Sequence, residues 1–188
     1  MDVYENCPVI ENERFVMRLT THEDCRQLLK VYSDEKAVEL FNSDNCNGDH
    51  FHYQTMERMK QAIDFWIFSY QNRYFVRWTI IDKQSAEGIG TVELFRREAD
   101  DAFTDTALLR VDVRSDYERP QELECLFGAL LVPACDYFGC RTITTKAAPK
   151  AAVRREMLQK MGFVESDMPL RGHGGEQYRH YFVYEKRA

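Results

Sequence analysis

Between Ala107 and Phe163 the chain switches between two spacings of apolar residues, and this switching constrains the fold more than any other stretch. Ala107-Leu-Leu-Arg-Val-Asp-Val113 has the branched, alternating character of a strand. After a tight turn, Leu123, Leu126, Phe127, Leu130, Leu131, Ala134 and Phe138 recur at helical steps, which predicts a long helix from near Pro120 with one face on a sheet. Proline suits that first helical position. Pro133 lies well inside the pattern, removes one intrahelical hydrogen bond and is expected to kink or break the helix. A short strand, Arg141-Thr-Ile-Thr-Thr145, and a helix closing on Met161-Gly-Phe163 complete the unit.

Upstream, Arg14-Phe-Val-Met-Arg-Leu19 reads as a first strand, and Thr20-Thr-His-Glu-Asp24 supplies capping chemistry for a helix through Ser33. The segment Glu35 to Asp49 is polar and is expected to be irregular. Met56, Met59, Ile63, Trp66, Ile67 and Tyr70 then mark a second helix. Tyr74–Ile81 and Gly88–Phe95 form a hairpin across Asp82–Ala86, and a turn at Glu98–Asp105 leads into Ala107–Val113, giving three consecutive antiparallel strands. A polar loop with Arg171-Gly-His-Gly-Gly175 precedes a last strand, Gln177–Tyr184.

At 188 residues the chain is expected to be one domain with a sizeable core. A 44% hydrophobic and 30% charged composition argues against disorder. The net charge of −6, with no stripe of basic residues, argues against nucleic-acid or anionic-membrane partners and mildly favours cationic substrates such as amines. Acidic residues interrupt Met1–Thr20, and no run approaches the ~20 apolar residues of a membrane span, so a cytoplasmic location is expected. Six cysteines lack a close pair and read as thiols, with Cys125 and Cys135 on the long helix. Cys46 with His50, and Cys135 with Cys140, form no four-ligand set, so no metal site is expected.

The element order, together with Arg14-Phe-Val-Met-Arg-Leu19, Glu87-Gly-Ile-Gly-Thr-Val-Glu-Leu94 and Lys160-Met-Gly-Phe163, resembles the GNAT superfamily of N-acetyltransferases, most closely its RimJ/RimL-like branch. The resemblance covers nearly the whole chain and implies an α/β (α+β) fold: a mixed, mostly antiparallel central sheet of about six to seven strands flanked by helices. It also implies acetyl-CoA as co-substrate, with the pyrophosphate on a glycine turn, Q/R-x-x-G-x-G/A, at a helix N-terminus. Here that window is Glu118-Arg119-Pro120-Gln121-Glu122-Leu123, so every signature position is changed. Glu118 and Glu122 are expected to repel a pyrophosphate, Gln121 and Leu123 to crowd it, and Arg119 to compensate by contacting phosphate. The family's asparagine and its serine or alanine three residues on become Ala151 and Arg154, and Leu158 stands where many members carry a tyrosine that protonates the leaving thiolate. The resemblance leaves the main chain of Val111 and Val113 to pair with the pantetheine arm.

Acetylation also needs a neutral amine and somewhere for its proton to go. Glu93, on a central strand and on the same face as Thr91, is the first candidate base, and a solvent-facing glutamate is the plainer reading. Asp112, sharing a face with Arg110 and Arg114, is the second, with a surface ion pair to one of them as its plainer reading. His173, between glycines in the late loop, is the third, or simply a polar loop residue. Two functions are therefore expected to compete. One is acetyl transfer from acetyl-CoA to a primary amine, borne by a protein N-terminus, an amino acid or a small molecule. The other is a non-catalytic binding or regulatory protein of the same fold that has lost acetyl-CoA. Relatives often pair through sheet edges, which makes a homodimer a further expectation.

Overall fold

The computed structural model describes residues 2–186. Among these residues, eight strands form one sheet in the order β1-β2-β3-β4-β5-β6-β10-β7. They are β1 (Ile10–Glu11), β2 (Phe15–Leu19), β3 (Val76–Asp82), β4 (Glu87–Arg97), β5 (Thr106–Val113), β6 (Thr142–Lys146), β7 (Val164–Glu165) and β10 (Tyr181–Glu185). A separate small hairpin pairs β8 (Leu170–Arg171) with β9 (Gln177–Tyr178). The main sheet is antiparallel except where β5 runs parallel to β6. The expected architecture is present, with one strand more than the upper expectation, because the two-residue strands β1 and β7 carry no periodicity of their own.

Period-two alternation divides the sheet into an apolar face and a polar one. Val76, Trp78 and Ile80 of β3, Val92 and Leu94 of β4, and Leu109, Val111 and Val113 of β5 join one core. The helices α4 (Pro120–Phe138) and α5 (Ala152–Lys160) cover that face. The opposite face presents Arg77, Thr79, Thr91, Glu93, Arg110 and Asp112, all at most 8% exposed. It lies under α1 (Cys25–Tyr32) and α3 (Met56–Gln71), which share a second core with Phe51 and Tyr53. Thr55 starts α3 by accepting the Arg58 N–H at 3.2 Å.

Three local expectations change. The helix α4 runs unbroken through Pro133, because Leu126, Phe127, Leu130 and Ala134 pack on both sides of the proline and outweigh one lost hydrogen bond. It ends at Gly139, whose φ of 62° is the left-handed conformation glycine favours. The segment expected to be irregular opens with one helical turn, α2 (Glu35–Val38), because the Asp34 side chain accepts from the N–H groups of Lys36 and Ala37. The last strand splits into β9 and β10 at His180, which takes a φ of 68°.

The β4–β5 turn is held by Asp101, whose carboxylate accepts from both terminal nitrogens of Arg97 (2.6 and 2.7 Å) and from the N–H groups of Phe103 (2.9 Å) and Arg171 (2.8 Å). Burial pushes this carboxyl up, but Arg97 and the two N–H groups prevail and bring it to about 2. Its folded value lies below the unfolded 3.8, so its stabilisation is complete above 3.8 and disappears as the pH falls through about 2. Asp101→Asn is expected to cost about 1–2 kcal/mol at neutral pH, and the gap should close in acid. Urea unfolding of both proteins across that range checks this.

Candidate active site

A cavity of about 870 Å³ opens beside the polar face of the sheet, between α3, the loop before it and the loop around His173. Its walls combine aromatic rings, among them Phe65 and Trp66 of α3, Tyr74 and Phe75 before β3, and Phe95 of β4, with charged side chains that include Arg58, Arg73, Arg96, Arg97 and Arg171. Its floor includes Arg77, Glu93 and Arg110.

The floor is a buried charge network. Glu93 accepts from Arg77 and, at 2.6 Å, from Arg110. Arg77 also donates to Tyr32 Oη (2.9 Å), Thr91 Oγ1 (3.0 Å) and Asp112 (3.4 Å), and its guanidinium lies 4.3 Å from the Trp66 ring centre. The Tyr32 hydroxyl donates to Asp112 at 3.0 Å. Both plainer readings of these carboxylates therefore change: Glu93 and Asp112 are 2% and 1% exposed, and α1 and α3 exclude water from the face they share. Asp112 pairs with Arg77 across the sheet instead of with Arg110 or Arg114, because Arg110 is drawn to Glu93 and Arg114 to Asp116 and Glu87.

Burial pushes Glu93 up, yet Arg110 and Arg77 together hold it below its usual value. A carboxylate so held is a weak proton acceptor. Burial dominates at Asp112 and raises it, and its Oδ1 has no partner among the described residues. Asp112 has the better basicity, whereas Glu93 has the better access, since it lines the cavity. His173 sits exposed on the cavity wall, its backbone N–H donating to Asn45 Oδ1 at 3.0 Å.

On the other side of the floor, β5 and β6 pair only from Ala107–Ile143 to Leu109–Thr145 and then part. The opening begins at Arg110. Arg154 of α5 closes it: its Nη1 donates to the Val111 carbonyl at 2.7 Å, and its Nε and Nη2 hold Glu118 at 2.9 and 2.6 Å. Arg154 is 2% exposed. The Val111 carbonyl expected to be free for a pantetheine arm is thus already taken, and the Val113 side chain lies in the core.

The start of α4 likewise differs from expectation in its charge. Glu118 is neutralised by Arg154, and Glu122 by Arg119 (3.3 Å) and Arg14 (3.7 Å), so these carboxylates are satisfied internally instead of facing an anion. Arg119, at the N-cap, is 59% exposed along its side chain and spends part of its charge on Glu122. Gln121 is exposed, whereas Leu123 and Leu158 are fully buried in the core. The residues that sequence reasoning missed are Tyr32, Arg77 and the closing role of Arg154. Opposite charges at Glu118 and Arg154 were the only signal of that closure.

No family model matches the sequence, and no curated protein matches it. Solved structures do match in shape. The chain superposes on RimL, a ribosomal alpha-N-protein acetyltransferase in complex with coenzyme A, with a TM-score of 0.71 and 11% identity, covering 95% of this chain and 98% of that one. A GNAT-family acetyltransferase from Bacillus anthracis gives 0.70 and 12% identity over 95% and 98%. Mycobacterium smegmatis RimJ in complex with CoA-disulfide gives 0.67 and 13% identity over 90% and 79%. At these identities the likeness is one of architecture: over nearly its whole length the chain has the fold of the GNAT acetyltransferases.

Proposed function

We propose that the protein transfers an acetyl group from acetyl-CoA to a primary amine by direct attack. One observation carries this reading: the parting of β5 from β6 begins at Arg110, which also lines the aromatic cavity, so a donor slot and an acceptor cavity adjoin at one residue. The amine nitrogen would attack the thioester carbon. The C–N bond forms as the C–S bond breaks, the thiolate leaves with the electron pair, and the amine proton passes to water at the Glu93 end of the cavity. The chain's part is then to bind and orient the amine. In the closed arrangement, Arg154 and Glu118 fill the slot, so donor binding requires that pair to separate.

That same pair favours a second reading, in which the fold is kept as a ligand-binding or regulatory module without acetyl transfer. Calorimetric titration with acetyl-CoA separates the two. Saturable binding with a Kd of roughly 1–100 μM, and acetylated amine found by mass spectrometry, are expected for the first reading. Absence of binding at millimolar acetyl-CoA would leave only the second.

A further inference from the structure

We infer that the cavity takes a small primary amine carrying an aromatic ring. The amine half of this inference rests on the transfer reading above, whereas the ring half rests on the walls alone. Among the described residues the cavity lining has one branched aliphatic side chain, Leu108, against eight of Phe, Tyr and Trp, with charged side chains making up most of the remainder. Phe65 and Tyr74 stand 56% and 61% exposed although each already has a ring neighbour: Phe65 meets Phe75 edge-on at 6.0 Å, and Tyr74 meets Phe68 at 6.3 Å. Two exposed rings at the edge of a concave, ring-lined site are surface that a further ring can cover in the same tilted geometry.

Charge points away from an acidic ligand. Each arginine lining the cavity has a carboxylate partner: Arg58 with Asp49, Arg73 with Asp2, Arg96 with Asp105, Arg97 with Asp101, Arg171 with Asp100 at 3.9 Å, Arg110 with Glu93, and Arg77 with Glu93 and Asp112. No carboxylate or phosphate is needed to balance them. A hydrogen-bonding group is wanted instead at Ser69, which lines the cavity, is fully buried, and whose Oγ has no partner among the described residues. A buried hydroxyl left unpaired is costly, and a polar ligand group such as an amine, able to donate to it or accept from it, relieves it. The volume of about 870 Å³ is of the size that encloses a drug-sized molecule.

Trp66 makes the test direct, since it lies in the cavity wall, while the only other tryptophan, Trp78, is fully buried in the opposite core with its Nε1 on the Pro8 carbonyl. The protein, with no acetyl-CoA present, is titrated with phenethylamine, butylamine and phenethyl alcohol while tryptophan emission is followed. Phenethylamine should give a saturable change, with butylamine and the alcohol each at least about tenfold weaker. Phe65→Ala should weaken phenethylamine by about tenfold and leave butylamine and the melting temperature nearly unchanged, because that ring is half exposed. Equal binding of butylamine, or no effect of Phe65→Ala, overturns the ring requirement. Equal binding of the alcohol overturns the amine requirement. None of these readouts uses the donor, so a failure here is separate from a failure of acetyl-CoA to bind.

Discussion

Arg154→Ala combined with Glu118→Gln is expected to raise the affinity for acetyl-CoA by about a hundredfold, the largest functional effect the structure implies. The pair is closely made: two charge-assisted bonds of 2.9 and 2.6 Å between side chains 3% and 9% exposed, and a third, of 2.7 Å, from Arg154 to the Val111 carbonyl. A donor arm entering between β5 and β6 must displace all three. If that displacement costs about 3 kcal/mol, removing it in advance returns a factor of about a hundred in binding. The two substitutions belong together. Arg154→Ala alone leaves Glu118 without its cation and the Val111 carbonyl without its donor, and should cost about 3–5 kcal/mol of stability. The double variant, having no charge to strand, should recover most of that loss. Calorimetry on both variants, with urea unfolding in parallel, separates opened from merely loosened. A double variant that is stable and binds acetyl-CoA no better than wild type would place the obstruction elsewhere in the slot, with Pro120 and Gln121 as the remaining candidates, and would favour the non-catalytic reading.

The parts of this fold legible in the sequence are those written in periodicity. The stripes on α3 and α4 and the alternating runs of β3, β4 and β5 lie where their spacing puts them. Long-range terms decided the rest. Pro133 follows a local rule that the packing of Leu130 and Ala134 overrides, and α2 exists because one side chain, Asp34, caps it. The candidate site was legible as positions but not as environments. Glu93 and Asp112 alternate with apolar residues as a half-exposed strand would, and only the placement of α1 and α3 over that face turns them into buried ions. Arg154 is 43 residues from Val111 and 36 from Glu118, so neither spacing nor composition could bring the three together.

Glu93→Gln is expected to lower the stability of the protein by about 3–5 kcal/mol, which for a chain of this length is a fall in melting temperature of roughly 6–20 °C. Glu93 is shared by two guanidinium groups, Arg77 and Arg110, and the three side chains are 2–8% exposed. A glutamine keeps the shape and some hydrogen bonding but leaves Arg110 without a carboxylate and Arg77 with only its longer contact, 3.4 Å, to Asp112. Acid should reproduce the effect in the wild type. The folded Glu93 titrates below its unfolded value of 4.5, so its contribution is complete above that value and fades as the pH falls through the folded one. The gap between wild type and variant should therefore be constant from neutral pH to just above 4.5 and narrow below it. The same variant weighs structure against chemistry. If Glu93 mainly holds the two arginines, Gln at this position unfolds easily, and acetylation by the folded fraction persists at low temperature. If the variant is as stable as wild type and acetylation is abolished, Glu93 takes the proton from the amine, and its two arginines must loosen when substrate arrives.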